Sequence, residues 1–305
     1  MLLSGVTIVV VMIMVTLACW VDSWIERRSF RLAASTISGY RGSLRKYIAP
    51  SPVGAMSLDQ IAPEDLIVLL SPILGKGYTR QAQLVQILVG AALRDAVRQR
   101  IIPWSPMECV DKVRHRSQMT PWLTPDQAAE LLRAARAASD PFYPAWLLGI
   151  CCGLRRGEIL GLRWSDVDFA GCVLHVRRQL IRVDGKILET APKSLCSVRD
   201  VPLPAMLADQ LRFLRQGERV VQATPDALQR ALDAACARAD VPRITLHGLR
   251  HSMAAVAATE GVPIKVLQEI MGHAQYTTTA DVYAHVDRKA VQSATRQVFA
   301  RLEIV

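Results

Sequence analysis

The 305-residue sequence holds no C-x-x-C pair, and its seven cysteines stand at scattered positions. An odd, unpatterned set argues against a disulfide framework and a structural zinc, and it suits a reducing cytoplasm. No low-complexity tract and no internal repeat is present, so an ordered globular chain is expected. No Gly-rich phosphate loop and no acidic cluster occurs either. Neither a nucleotide nor a metal is therefore expected, and no cofactor is called for.

Charge is missing altogether from residues 1–21, "MLLSGVTIVVVMIMVTLACWV". By length and apolarity this is a candidate membrane span. It lacks the basic start and small-residue cleavage site of a signal peptide. The β-branched run Val6–Val11 suits a buried strand equally well. Because the rest reads as a cytoplasmic protein, no span is expected, and residues 1–15 are left without a role. Acidic residues are outnumbered: 37 Lys and Arg face 27 Asp and Glu, a net charge of +10. The excess is spread, with +5 over residues 1–102 and +4 over 124–305. Double-stranded DNA is a partner that would match a basic surface on both parts, though a merely solvated surface fits the charge as well.

What is present is mostly helical periodicity. Leu17, Trp20, Val21, Trp24 and Ile25 recur at helical spacing from about Thr16. A second helix is predicted over 35–48, with Ile37, Tyr40, Leu44, Tyr47 and Ile48 on one side and Arg41, Arg45 and Lys46 elsewhere. Pro63 opens a short helix through Leu70. A longer one covers Thr79 to Arg100, apolar at Leu84, Ile87, Leu88, Ala91, Ala92 and Val97. Residues 16–102 thus form a four-helix module. Residues 103–122 carry three prolines and no periodicity, and read as a linker. Thr124-Pro125 with Gln127 restarts structure as a capping box, and Thr224-Pro225 repeats the start. Between them lie predicted strands at 172–176, 179–183, 186–190 and 197–203, with Asp184-Gly185 as a hairpin turn. From Pro242 the chain is helical again. The expected fold is mainly α in two domains: a helical domain, then an α+β domain over 123–305 with a small antiparallel sheet.

Four stretches of the second domain carry chemistry. In "GLRRGEILGLRWSDVD", 153–168, Glu158 stands three residues past Arg155 and can orient its guanidinium, although such a pair is often only structural. Lys193, in "TAPKSLCSVRDVPL", falls between strands at a loop tip, where a lysine is ordinarily just solvated. In "HGLRHSMAAV", 247–256, His247 and Arg250 share a helix face with His251 beside them, and the sequence then turns apolar. In "MGHAQYTTTADVYAHV", 271–286, Gly272 reads as a helix C′ residue, His273 follows it, and Tyr283 comes ten residues later. Taken singly, Tyr283 is a packed tyrosine. Together, two arginines, two histidines and a lysine repel one another unless they face an anion. A phosphodiester fits, since arginine forks match its non-bridging oxygens. The nucleophile must then be Ser, Tyr, Cys or water.

The ordered set Arg155, Lys193, His247, Arg250, His273 and Tyr283 resembles the tyrosine recombinase (phage integrase) family. The wording around each residue matches too, and "STISGYRGSLRKYIAP" and "AVRQRIIPWSP" extend the resemblance into the helical module. It spans about Thr16 to Leu302. The resemblance implies a SAM-like core-binding domain followed by the catalytic domain. It makes Tyr283 the nucleophile of a 3′-phosphotyrosyl bond and Lys193 the acid for the 5′-hydroxyl. Arg155, Arg250 and His273 would stabilise the transition state, His247 would help manage the tyrosine proton, and Glu158 would support Arg155. Arg41, Arg45, Lys46 and Arg156 are expected to contact DNA. The implied assembly is a homo-tetramer on two DNA sites, with room for an accessory DNA-bending or directionality protein. Three departures stand out. Arg156 replaces the usual small or apolar residue, 215–223 is short, and nothing before Thr16 resembles an arm-binding domain. Rival readings are a type IB topoisomerase-like activity, a catalytically silent DNA-binding regulator and a membrane-tethered DNA-binding protein.

Overall fold

The computed structural model describes residues 15–115, 120–192 and 197–272. The chain divides into two compact units, 1–117 and 118–305. In the first, Thr16 caps helix α1 (Leu17–Arg28), its hydroxyl accepting from the Cys19 amide at 3.4 Å. The five residues at helical spacing are all buried, and the Trp20 indole donates to the Ala92 carbonyl at 2.7 Å. Helix α2 (Ala34–Ser43) continues into a wide π turn, Leu44–Ile48, and it is this turn that buries Leu44 and Ile48.

Helix α3 (Pro63–Gly75) runs past the predicted end at Leu70, through Pro72. A proline in the last turns costs a bond to the carbonyl four residues back, and burial of Leu69, Leu70 and Ile73 offsets it. Helix α4 (Thr79–Arg98) buries Ala82, Val85, Leu88, Val89, Ala92 and Ala96, whereas Ile87 is exposed. The apolar spacing had pointed to a stripe about one residue to the side. The helix is apolar over a wide arc, so contacts with α1 and α3 decide which part turns inward.

Within the stretch read as a linker, Ser105, Met107 and Val110 are buried. Prolines remove periodicity without preventing packing: Pro106 opens a 3-10 turn that sets Met107 against Gly90 of α4. Gln86 then holds the strand-like stretch after it, donating to the Asp111 carbonyl and accepting from the Val113 amide, both at 2.8 Å.

In the second unit, helix α5 (Pro125–Ala137) opens on the predicted reciprocal cap between Thr124 and Gln127. Helix α6 (Tyr143–Cys151) is buried almost all round and packs against α5 and against α10 (Leu246–Thr259). Between α6 and the sheets comes α7 (Arg156–Gly161). The predicted strands fall into two sheets rather than one. Strands β1 (Val167–Asp168), β2 (Val173–Val176) and β5 (Arg199–Pro202) make one, in the order β1-β2-β5, all antiparallel. Strands β3 (Gln179–Val183) and β4 (Lys186–Thr190) make a separate hairpin, with Val183 opposite Lys186. Asp184 and Gly185 both have positive φ, 48° and 79°, as a type I′ turn requires. Helices α8 (Ala205–Phe213), α9 (Pro225–Arg238) and α11 (Ile264–Met271) complete the described part. None of the described helices is long and apolar enough to cross a membrane.

Candidate active site

Two helix ends and one strand build the site. Helices α6 and α11 both end in a glycine with positive φ, Gly153 at 61° and Gly272 at 62°. That left-handed turn is cheap only for glycine, and it leaves terminal carbonyls free to meet a cation. Arg250, on the first turns of α10, meets them. It is fully buried, with Nη1 donating to the Gly153 carbonyl and Nη2 to the Met271 carbonyl, each at 2.5 Å. The negative ends of two helices thus help hold a guanidinium out of water. Its buried Nε has no partner among the described residues. Burial first, then the charge of Arg155, push the Arg250 pKa down to about 9, which leaves it protonated at neutral pH.

Arg155 precedes α7 and is half-buried. Its Nη1 donates to Glu158 Oε1 at 2.7 Å and its Nη2 to the Gly272 carbonyl at 2.7 Å. The Arg155 amide donates to the other carboxylate oxygen, Oε2, at 2.9 Å, so one glutamate fixes both backbone and side chain. Glu158 is 2% exposed. Burial opposes its charge, yet the Arg199 hydrogen bonds and charge, with those of Arg155, hold its pKa below the usual carboxylate range.

Arg199 had no place in the sequence reading. It enters from β5, buried, and pairs with both oxygens of Glu158 at 3.1 Å. One signal existed. In a strand alternate residues face the same way, and Arg199 shares its parity with the buried Val201 while Asp200 faces out.

His247 keeps solvent access, and its ring meets that of His251 edge-on, centroids 4.6 Å apart. Partial burial, then the charges of His251, Arg250, Arg155 and Arg156, push its pKa down to about 4. His251 shifts down too, through burial and then Arg250. Arg156 is exposed beside them.

The structure therefore brings Arg155, Glu158, Arg250 and His247 together. Lys193, His273 and Tyr283 lie outside the described residues. Arg41, Arg45 and Lys46 belong to the first unit, where Arg41 pairs with Glu26 at 2.5 Å, Arg45 is exposed, and the Lys46 ammonium lies 5.1 Å from the Tyr47 ring. Among the described residues no group of His, Cys, Asp or Glu could hold a metal ion. In the described part of the site one carboxylate faces three guanidinium groups, a surplus suited to an anion.

The phage integrase family matches residues 121–290, which include Arg155, Glu158, Lys193, His247, Arg250, His273 and Tyr283 but not Arg41, Arg45 or Lys46. The chain belongs to that family. A tyrosine recombinase XerC-like protein of Caldanaerobacter subterraneus is 31% identical over 182 residues, covering 49% of this chain and 46% of that protein. A putative prophage phiRv2 integrase of Mycobacterium tuberculosis is 29% identical over 211 residues, covering 64% of this chain and 54% of that protein. The match thus spans about half the length of these relatives. The Tn1549 transposon integrase, solved with a circular intermediate DNA, superposes with a TM-score of 0.77 at 20% identity over 93% of this chain and 99% of that one. That likeness establishes the two-domain, mainly helical fold of an integrase for this family member.

Proposed function

We propose that this protein is a site-specific DNA recombinase, an integrase that cuts and rejoins strands for integration or excision of a mobile element. The observation that carries the reading is the surplus of guanidinium groups, the half-buried Arg155 and the buried Arg250, held by helix-end carbonyls and a single glutamate. Donors fixed by the protein stabilise charge developing on a phosphate at little cost in reorganisation, and Arg155, whose side chain keeps 29% of its exposure, is the one of the two open to solvent. In this reading the Tyr283 oxygen attacks the scissile phosphorus. The new O–P bond replaces the bond to the 5′-oxygen, which takes its proton from Lys193. Arg155, Arg250 and His273 bind the non-bridging oxygens, and His247, neutral at working pH, accepts the tyrosine proton. The 5′-hydroxyl of a second strand then reverses the step. The phosphotyrosyl bond stores the energy of the broken one, so the exchange is balanced without an external energy source.

Duplex DNA is the substrate, gripped through phosphates by Arg41, Arg45, Lys46 and Arg156 as well as by the site. Four protomers on two sites, an accessory DNA-bending or directionality protein, and action in the cytoplasm complete the reading. The test is a nicked suicide substrate carrying the junction sequences that flank the gene. The wild-type chain is expected to give a covalent protein–DNA band on a denaturing gel. Tyr283→Phe should lose that band and keep near-normal DNA binding, because only the hydroxyl is removed. A band that persists in the variant would transfer the role to another residue, Tyr276 being the nearest tyrosine in sequence.

A further inference from the structure

Arg199 takes no step in the reaction just described, yet it joins the parts that do. Its Nη1 and Nη2 each donate to one oxygen of Glu158 at 3.1 Å, a fork-on-fork pair. Its Nε donates to the Ile270 carbonyl at 2.8 Å. Both contacts lead to Arg155. Glu158 receives the Arg155 guanidinium at 2.7 Å, and Gly272, two residues past Ile270, receives its other nitrogen at 2.7 Å. Arg199 therefore reaches Arg155 from two sides, through the carboxylate and through the end of α11.

Stability alone does not call for this arrangement. A buried ion pair gains little over well-packed apolar side chains, because two charges must leave water. What it supplies is geometry. A planar guanidinium fixes three acceptors in set directions, which a lysine's single ammonium cannot do. The last of the three is a carbonyl of the helix end that leads into His273.

We propose that Arg199 is a positioning residue that sets the direction of the Arg155 guanidinium through Glu158 and through the end of helix α11. The proposal rests on the recombinase reading. It is tested in the full chain with Arg199→Lys, using Arg155→Ala as reference. Two nicked substrates are compared, with a phosphate or a methylphosphonate at the scissile position. The methylphosphonate lacks one negative oxygen, so a well-placed guanidinium matters less on it. Arg199→Lys should bind DNA like the wild type and cleave the phosphate substrate at least about tenfold more slowly, a smaller loss than the roughly 10²–10³ that follows outright removal of a transition-state donor. On the methylphosphonate most of that loss should vanish, as it should for Arg155→Ala.

Unchanged cleavage of the phosphate substrate, or equal losses on both substrates, would overturn the proposal and leave Arg199 a structural side chain. If Arg199→Lys does not fold, Arg199→Met combined with Glu158→Gln removes both buried charges together and should show the same substrate-selective loss. Wild-type cleavage of that double variant on phosphate also overturns the proposal. Failure of the wild-type chain to form a covalent complex on either substrate overturns the recombinase reading itself, a distinct result.

Discussion

A histidine crowded by cations is a record of where an anion belongs. His247 sits among His251, Arg250, Arg155 and Arg156, and with its pKa near 4 it is neutral at pH 7. In the unfolded chain it titrates near its ordinary 6.5. Above 6.5 both states are neutral, and the group has no effect on stability. Between 6.5 and 4 the unfolded chain binds a proton that the folded chain refuses, so stability falls as the solution is acidified. His251 shifts in the same direction and adds to the fall. The urea midpoint of the DNA-free protein should therefore drop between pH 7 and pH 5, and drop less in His247→Gln. Glu158 does not confuse this window, because its pKa lies below 4.5. A phosphate in the site would favour the charged imidazole, so bound DNA should shrink the fall. Equal falls in variant and wild type would remove His247 from the cationic cluster. His247, Arg155 and Arg250 were legible in the sequence because each stands in a short motif whose helical spacing places the side chain. Arg199 was not, because its partner Glu158 lies 41 residues away and only the strand's alternation hinted at burial.

Elements meet closely where the site is built. Glycines 157 and 161 of α7 lie against β3, and a Cβ on Gly161 would stand 2.9 Å from the Gln179 Cα. Backbone there cannot swing aside like a side-chain tip. Gly161→Ala should thus push α7 from the hairpin, costing about 1–3 kcal/mol as overpacking does, and should slow cleavage because α7 carries Glu158. Gly75→Ala is the control: at the end of α3 its Cβ meets nothing within 4 Å, so the change should be neutral or stabilising by about 0.5 kcal/mol. Chemical denaturation of both variants checks the pair, and an undisturbed Gly161→Ala would show that α7 has room to move. The helices were readable because caps such as Thr124–Gln127 and buried stripes such as that of α1 are local. The β3–β4 hairpin was readable from Asp184-Gly185. The split into two sheets was not, since β2 pairs with β5, where Val176 faces Arg199, and no local turn announces so distant a partner.

At the scale of the molecule the excess of basic residues is shared between the two units. Absence of periodicity hid the packing of Met107 and Val110 within 103–115, because such packing leaves no repeat to read. Distributed charge has a measurable consequence. Each phosphate neutralised by a Lys or Arg releases condensed counterions, so the logarithm of affinity falls linearly with the logarithm of salt concentration, with a slope of about −0.9 per contact. On the proposed reading, a duplex contacted by residues of both units would make on the order of six to ten such contacts, and should lose roughly 10³–10⁵ in affinity between 50 and 200 mM salt. Fluorescence anisotropy with a labelled duplex gives the slope directly. Replacing the exposed Arg45 and Lys46 of the first unit by Gln should flatten it by about two contacts' worth, alike on every DNA sequence tried. Arg156→Gln should flatten it by about one. A slope that stays the same after the first pair is removed would mean that those residues face solvent alone, and that the second unit carries the grip on DNA.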